Sequence, residues 1–244
     1  MNVMLFGAEA DSLLPEIDKH AGLTVVETDP EVVVCYGGDG TLLSAEQKWP
    51  GIPKVPIRNS RRGIRCIAHP PQDVIAHLVD GKLVRTKYMK LSCEVWTHGD
   101  KAAAHVLAAM NEVNVHMAHI NSAVRFRLWI NDEDVADGDE IVGDGFVIST
   151  PFGSTAYFHQ ITRGVFHAGL GIAFKNTAWH TDHFVVPSDA TAKVLITRGP
   201  AVLAFDNSTQ YHDLAEGDRL VVKQHQQAAV LLTWQPMSHP SDAF

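Results

Sequence analysis

The sequence predicts a small N-terminal α/β domain with a parallel sheet, followed by a larger, strand-rich domain. Strand-like and helix-like segments alternate up to about residue 85. Within them, the apolar, β-branched run 31–36 is typical of a strand buried on both faces of a parallel sheet. Short strand candidates then follow one another, separated by Gly- and Asp-rich turns. We expect domains at 1–87 and 88–235 and a loosely ordered tail at 236–244.

The first domain alternates strands and helices, which predicts an α/β layer. A helix is expected after the first strand, and another begins after Pro70-Pro71, since proline suits the first turn of a helix. The predicted strands are 3–6, 23–27, 31–36 and 54–57, and the predicted helices are 13–20 and 73–83.

The second domain is predicted from alternation and turns. Apolar and polar residues alternate over 124–130, as in a strand with one buried face. Segments 91–96 and 102–110 flank His98-Gly99-Asp100, a predicted hairpin turn. Further strands are expected at 146–149, 193–197, 202–205, 220–223 and 229–234.

Composition excludes some function classes. The chain has 20 Lys and Arg against 28 Asp and Glu and a net charge of −8, which disfavours binding to nucleic acid. No apolar run approaches the roughly 20 residues that span a membrane, and the start lacks a signal-peptide pattern. Three scattered cysteines fit a reducing compartment, so we expect a cytoplasmic protein. The 14 histidines are also scattered, and we expect no dedicated metal site.

The strongest local feature is the loop Gly37-Gly38-Asp39-Gly40-Thr41, which follows the buried run 31–36. Glycines let a ligand approach the main chain closely, and successive N–H groups there can bind an anion. The carboxyl end of a parallel strand is where open α/β sheets bind ligands. The other interpretation is a turn without a ligand, because Asp and Gly are common in turns.

Two later segments are candidate binding sites. In 143–157 a strand delivers its end into a Pro-, Gly-, Ser- and Thr-rich turn that finishes at Tyr157. Such a turn offers hydroxyl and N–H donors to ribose or amide groups; the other interpretation is a connecting loop whose tyrosine simply packs. Asn111-Glu112 supplies an amide and a carboxylate, a pair that alone carries almost no information.

Together these motifs, in this order, resemble the NAD kinase family. The resemblance covers residues 31 to about 210, and Phe205-Asp206 and the turn 214–219 also look like a family segment. It implies a small α/β domain, a β-rich domain and an active site between them. It also implies transfer of the γ-phosphoryl group of ATP to the 2'-hydroxyl of the adenosine ribose of NAD, which gives NADP.

The resemblance implies roles for individual residues. Asp39 would accept the proton of the 2'-hydroxyl, within the loop Gly37, Gly38, Gly40 and Thr41. The dinucleotide would be held by Asn111 and Glu112, by Asp144 at its nicotinamide end, by Thr155, Ala156 and Tyr157 around the adenine and ribose, and by Gln210. Mg²⁺ would accompany ATP, polyphosphate is an alternative donor, and a homodimer or homotetramer is expected.

Two other functions stay open. Lipid kinases of the diacylglycerol or sphingosine type share a Gly-Gly-Asp-Gly-Thr-like phosphate loop, but no amphipathic membrane-binding helix is evident here. A sensor that binds NAD(P)(H) with little turnover is the alternative outside the enzymes. The intact Asp39 argues against a sensor.

Overall fold

A computed structural model of the chain describes residues 1–61 and 63–235, so the predicted tail at 236–244 lies outside the described residues. The chain divides into two compact units. Among these residues, one unit comprises the part up to Tyr88 together with 227–235, and the other is Met89–Gln226. The change of unit at Tyr88 lies one residue from the expected boundary at 87. Residues 227–235, expected in the second domain, belong instead to the first unit.

The first unit is built on one six-stranded sheet with the strand order β2-β1-β3-β4-β19-β5. All neighbouring strands pair in parallel except β19 and β5. The strands are β1 (Asn2–Phe6), β2 (Thr24–Val25), β3 (Val32–Gly37), β4 (Lys54–Arg58), β5 (Val84–Tyr88) and β19 (Ala229–Thr233); the helices are α1 (Leu14–Ile17), α2 (Asp39–Lys48) and α3 (Pro71–Val79).

The buried run that predicted this sheet lies inside it. Val32, Val33, Val34 and Cys35 of β3 are all buried, which confirms a strand covered on both faces. The helix predicted at 73–83 is α3, which begins earlier, at Pro71, and buries Val74, Ile75 and Leu78. The helix predicted at 13–20 is shorter, because a 3-10 turn at Ala10–Leu13 precedes the four residues of α1.

The strand predicted at 229–234 exists as β19, but it completes the first sheet. It pairs in parallel with β4 through Leu231 and antiparallel with β5 over Ala229–Thr233. Its residues Ala229, Val230 and Leu231 are all buried, as in a strand covered on both faces. The chain therefore leaves the first unit after Tyr88 and returns to it at Gln227.

An ion pair fixes α2 to the first sheet. The ammonium group of Lys54, the first residue of β4, donates to the Glu46 carboxylate and to the carbonyl of Trp49, the latter at 2.5 Å. Lys54 is 0% exposed and Glu46 4% exposed, so each charge depends on the other for stabilisation. The pair fixes the helix that begins at Asp39.

The second unit consists of two antiparallel sheets. One has the order β10-β9-β15-β18-β6-β7 with β11 also paired to β9, and the other β14-β13-β12-β8-β16-β17. The strands are β6 (Leu91–Trp96), β7 (His105–Ala109), β8 (Glu112–Met117), β9 (Val124–Ile130), β10 (Glu133–Asp134), β11 (Ile141–Gly143), β12 (Gly145–Ser149), β13 (Leu170–Lys175), β14 (His183–Val186), β15 (Ala192–Arg198), β16 (Ala201–Phe205), β17 (His212–Leu214) and β18 (Arg219–Gln224). One helix, α4 (Tyr157–Thr162), interrupts this series in the described residues.

Apolar side chains of both sheets form one core in this unit. Phe126 of β9 lies 4.8 Å, ring centroid to ring centroid, from Phe146 of β12. The predicted alternation over 124–130 is confirmed, since Val124, Phe126 and Leu128 are buried between less buried neighbours. The predicted small α/β domain and larger strand-rich domain are therefore both present.

Candidate functional site

The loop 37–41 lies at the carboxyl end of β3, as predicted. Gly37 is the last residue of β3, Gly38 caps the N-terminus of α2, and Asp39 is the first residue of that helix. Strand β3 has β1 on one side and β4 on the other, so the loop emerges from the middle of the parallel part of the sheet. The positive end of the α2 dipole favours an anion at this place.

Close packing explains two of the glycines. A Cβ on Gly37 would lie 2.3 Å from Oγ1 of Thr41, and one on Gly38 would lie 2.9 Å from Oγ of Ser60. Real Cβ atoms do not approach so closely, so larger residues would displace the loop. Gly37 and Gly38 therefore keep the main chain of the loop against its neighbours.

The Asp39 carboxylate is held by a segment about 25 residues further along the chain. Its Oδ2 accepts the N–H of Ile64 at 3.1 Å, and its Oδ1 accepts the N–H of Arg65 at 2.8 Å. The thiol of Cys66 also lies 3.6 Å from Oδ1. These donors fix the carboxylate in one orientation and stabilise its charge.

Two side chains next to Asp39 are shifted in pKa by burial. Burial lowers the pKa of the Arg65 guanidinium, although Asp39 opposes this shift. Burial raises the pKa of the Cys66 thiol, and the Asp39 charge and hydrogen bond raise it further. Cys66 therefore stays a neutral thiol that donates to Asp39 rather than a reactive thiolate.

In the second unit, Asp206 organises the segment that contains Asn111 and Glu112. Its carboxylate accepts three consecutive backbone N–H groups, those of Met110 at 2.8 Å, Asn111 at 2.7 Å and Glu112 at 3.2 Å. Its own N–H donates to the Glu112 carbonyl at 3.0 Å. Asp206 has a φ of 46°, a left-handed conformation that Asp and Asn tolerate better than most residues.

The turn after β12 packs against the same segment. The Thr150 hydroxyl donates to the Met110 carbonyl at 2.6 Å and accepts the N–H of Gly153 at 3.0 Å. The Thr150 N–H donates to the Asn111 carbonyl at 2.9 Å. A Cβ on Gly153 would lie 2.2 Å from that carbonyl oxygen, so this position requires glycine. The two segments that the sequence singled out, around Asn111 and 143–157, are thus in direct contact.

Glu112 carries a buried carboxyl group with an unused oxygen. It is 7% exposed, and no described residue forms a hydrogen bond with its Oε2 atom. Burial, and next the Asp206 charge, raise its pKa to about 8, although the backbone N–H of Tyr157 and the charge of Lys175 act in the opposite direction. The carboxyl is therefore mostly protonated near neutral pH and can donate as well as accept.

Tyr157 and Lys175 lie near this carboxyl, and Asp144 lies next to Lys175. The Lys175 ammonium group lies 5.0 Å from the centre of the Tyr157 ring, a cation–π contact. The Lys175 carbonyl accepts the N–H of Asp144 at 2.8 Å. Burial lowers the pKa of Lys175 to about 7, opposed by the charges of Asp144 and Glu112. Asp144 itself is half-buried, between β11 and β12.

The remaining residues that the family resemblance placed in the site lie in two different parts of the second unit. Thr155 ends a 3-10 turn, Ala156 caps the N-terminus of α4, and Tyr157, 39% exposed, begins that helix. Gln210 is exposed in the loop between β16 and β17, where its N–H donates to Oγ of Ser208 at 3.1 Å. Within the described parts of the chain, no hydrogen bond joins Gln210 to Glu112 or Tyr157.

Three residues of the candidate site were not identified from the sequence. Asp206 was noted only as part of a family-like segment, and Cys66 and Lys175 were not assigned to a site. The pattern of residues 63–66 gives no sign that they fold against Asp39. Lys175 could have been noticed in the sequence, because it ends the apolar run 170–174 and a buried lysine needs hydrogen-bond acceptors.

Among residues 1–61 and 63–235, no three His, Cys, Asp or Glu side chains gather as ligands to a metal ion. No helix formed by them is both long and apolar enough to cross a membrane.

Comparison with known proteins connects this arrangement to one family. Residues 110–233 match the family model described as the ATP-NAD kinase C-terminal domain. The chain is 26% identical over 254 residues to an NAD kinase of Nitrosospira multiformis, covering 99% of this chain and 81% of that protein. It is 27% identical over 228 residues to an NAD kinase of Aquifex aeolicus, covering 88% and 78%.

Solved structures share the fold. A yeast NADH kinase complexed with NADH superposes with a TM-score of 0.79 at 16% identity, covering 88% of this chain and 68% of that one. An NAD kinase from Archaeoglobus fulgidus in complex with ATP gives a TM-score of 0.74 at 17% identity, covering 96% and 93%. Because the family model covers about half of the sequence, including Asn111, Asp144, Tyr157 and Asp206, the chain belongs to the NAD kinase family.

Proposed function

We propose that this protein is an NAD kinase that transfers the γ-phosphoryl group of ATP to the 2'-hydroxyl of the adenosine ribose of NAD. The observation that carries the proposal is Asp39. Its carboxylate stands at the carboxyl end of a parallel strand, on a glycine-rich loop, and is oriented by the N–H groups of Ile64 and Arg65. Membership of the NAD kinase family supports the same reaction.

Asp39 orients the nucleophile. The 2'-oxygen of the ribose attacks the γ-phosphorus, the bond from that phosphorus to the β,γ-bridging oxygen breaks, and ADP leaves with the bond electrons. The hydroxyl proton passes to the Asp39 carboxylate late in this step, because a carboxylate is a weak base for an alcohol. Two backbone donors already hold the carboxylate in place, so little reorganisation accompanies the reaction.

The glycine-rich loop serves the phosphoryl donor. Gly37, Gly38, Gly40 and Thr41 present main-chain groups at the start of α2, where negative charge is favoured. Mg²⁺ enters as part of the ATP complex, since this ion is usually held through substrate phosphates and waters. Polyphosphate would present the same kind of phosphate oxygens as ATP, so the assay tests ATP and polyphosphate as donors.

The second unit supplies the dinucleotide contacts in this proposal. Asn111, Glu112, Asp144 and the segment Thr155, Ala156 and Tyr157 contact NAD, with Gln210 as an additional contact. The unpartnered Oε2 of Glu112 supports a ligand here, because a buried carboxyl oxygen without a partner is unfavourable and a ribose hydroxyl would satisfy it. The exposed Tyr157 ring offers a stacking surface to a base.

The proposal is tested by incubating the full chain with ATP, Mg²⁺ and NAD and detecting NADP with an NADP-specific dehydrogenase. The expected result is NADP formation that depends on ATP or polyphosphate. Binding of NAD without turnover would support the sensor instead. Phosphorylation of diacylglycerol or sphingosine alone would support a lipid kinase.

We also propose that the protein is a cytoplasmic homodimer or homotetramer, as the family resemblance implies. Three thiols without disulfides, Cys35, Cys66 and Cys93, are compatible with a reducing compartment. Light scattering coupled to size-exclusion chromatography measures the number of chains directly, and a monomer at micromolar concentration would contradict the oligomer.

A further inference from the structure

The two oxygens of the Asp39 carboxylate are used unequally. Oδ1 accepts the N–H of Arg65 at 2.8 Å and lies 3.6 Å from the Cys66 thiol. Among the described residues, Oδ2 accepts only the N–H of Ile64, at 3.1 Å. Each carboxylate oxygen has about two acceptor sites. Both sites of Oδ1 are therefore occupied, whereas the described residues leave one site of Oδ2 open.

The Cys66 thiol is the donor in its contact with Asp39. Burial, and next the Asp39 charge, raise the pKa of this thiol, so the sulfur keeps its proton near neutral pH. An ionised carboxylate can only accept, and a thiol is a weaker donor than an N–H group. The thiol therefore adds a third, weaker restraint to the two backbone donors.

The chain directly after Cys66 is attached to the first sheet. Ile67 donates its N–H to the Pro56 carbonyl at 2.7 Å and accepts the N–H of Arg58 at 2.9 Å, which makes a parallel bridge to β4. The Ile67 side chain is 6% exposed and packs in the core of the first unit. Cys66 thus precedes a residue that is fixed by its backbone and by its side chain, and its thiol approaches Asp39 from a defined position.

We propose that Cys66 is a positioning residue for the proposed phosphoryl transfer, which together with the Arg65 N–H holds Oδ1 of Asp39 so that Oδ2 receives the proton of the 2'-hydroxyl. The inference rests on the proposed function. During the transfer, the ribose O–H bond breaks and an O–H bond to Oδ2 forms. The 2'-oxygen bonds to the γ-phosphorus, and ADP leaves with the electrons of the bond to the bridging oxygen. The S–H bond of Cys66 stays intact.

Removal of the thiol would leave the Asp39 carboxylate with two donors, one on each oxygen. The carboxylate could then turn further about its Cβ–Cγ bond, and the 2'-hydroxyl would meet Oδ2 in fewer of the bound complexes. Alignment of the nucleophile governs the rate of the chemical step, whereas the dinucleotide is held, in the proposed function, by residues of the second unit. We therefore expect a change in kcat with little change in KM.

The kinetic test measures NADP formation by the full chain and by three variants. Cys66→Ala removes the donor, and Cys66→Ser replaces the thiol with a hydroxyl group, which is a stronger donor on a shorter side chain. Cys93→Ala is the matched control, because it also removes a buried thiol, which lies in the apolar core of the second unit.

The kcat of Cys66→Ala should fall about three- to tenfold, the effect of one hydrogen bond of ordinary strength, while the KM values for NAD and ATP stay within about twofold of the wild-type values. Cys66→Ser should recover most of the lost rate. Cys93→Ala should keep the wild-type kcat.

Infrared spectroscopy tests the contact itself and needs no turnover. The S–H stretching band of a thiol moves to lower wavenumber when the thiol donates a hydrogen bond. The band that is lost in Cys66→Ala should therefore lie at lower wavenumber than the band that is lost in Cys93→Ala. A residue that only supported the fold would change stability but would not lower kcat at constant KM.

The inference is overturned if Cys66→Ala keeps the wild-type kcat, if Cys66→Ser loses as much rate as Cys66→Ala, or if the Cys66 band lies no lower than the Cys93 band. In each of these cases an active wild-type protein leaves the proposed function standing. A wild-type protein that forms no NADP would overturn the proposed function, and the inference with it.

Discussion

Replacement of Asp206 by alanine should destabilise the protein more than a typical substitution. The Asp206 carboxylate accepts the N–H groups of Met110, Asn111 and Glu112 at 2.7–3.2 Å. Alanine offers none of these three acceptor contacts. Met110 is 1% exposed, so water cannot readily replace the lost partner there.

The magnitude follows from the number and type of these bonds. Hydrogen bonds to a charged group contribute about 1.5–3 kcal/mol each, and such contributions add incompletely when the donors are neighbours. Alanine at a φ of 46° also adds roughly 1 kcal/mol of backbone strain. We expect Asp206→Ala to lower the free energy of unfolding by about 4–6 kcal/mol. Asp206→Asn keeps one oxygen and tolerates the backbone, so about half of that loss is expected.

The measurement is equilibrium unfolding in guanidinium chloride followed by tryptophan fluorescence, together with NAD affinity. Asp213→Asn is the control, because Asp213 is an exposed residue of the adjacent β17. The expected order of stability is wild type and Asp213→Asn, then Asp206→Asn, then Asp206→Ala. A loss below about 1 kcal/mol for Asp206→Ala would refute the reasoning, because it would mean that the three bonds are replaced at no cost.

Three other predictions concern pH, a buried ion pair and a glycine. Burial raises the pKa of Glu112 in the folded state to about 8 from its ordinary value of 4.5, so Glu112 stabilises the fold most at low pH and loses this contribution as pH rises from 4.5 to 8. Glu112→Gln should lack this slope, about 1.4 kcal/mol per unit of pKa difference, when unfolding is compared at the two ends of the range. Lys54→Met removes the cation that pairs with the buried Glu46 charge and should cost about 3–5 kcal/mol, and adding Glu46→Gln should recover most of the loss in chemical unfolding. Gly145→Ala places a Cβ 2.1 Å from a carbonyl of β8 at a φ of 131° and should lower the melting temperature more than Gly138→Ala, where no atom lies within 4 Å of the added Cβ; equal changes for the two glycines would contradict the steric argument.

Local sequence patterns predicted those elements whose own residues carry a visible pattern. Strand β9 was predicted over its observed range, because one face of it is buried and the period of two is visible. Strand β13 was not predicted, because all six of its residues are buried and its glycine and lysine break the apolar run. The place of β19 in the first sheet depends on β4 and β5, which lie far away in the sequence, and no local pattern specifies such pairing.

The same division holds at the candidate site. The loop around Asp39 was predicted because strand end, glycines and carboxylate are contiguous. Its partners were not predicted. Ile64 and Arg65 donate backbone N–H groups, which leave no trace in the identity of a residue, and the Cys66 thiol lies 27 residues further along the chain. Lys175 was missed for a different reason, since its buried acceptors become evident only when β8 and β13 are placed in one sheet.

The central claim is that Asp39 acts on the 2'-hydroxyl of NAD, and the Asp39→Asn variant tests it most directly. Asparagine keeps one oxygen for the N–H of Ile64 or Arg65 but accepts no proton. NADP formation in the coupled assay should fall roughly 10²–10⁴-fold, as for loss of a general base, while the variant stays folded and still binds NAD. Near-normal NADP formation by folded Asp39→Asn would contradict the account.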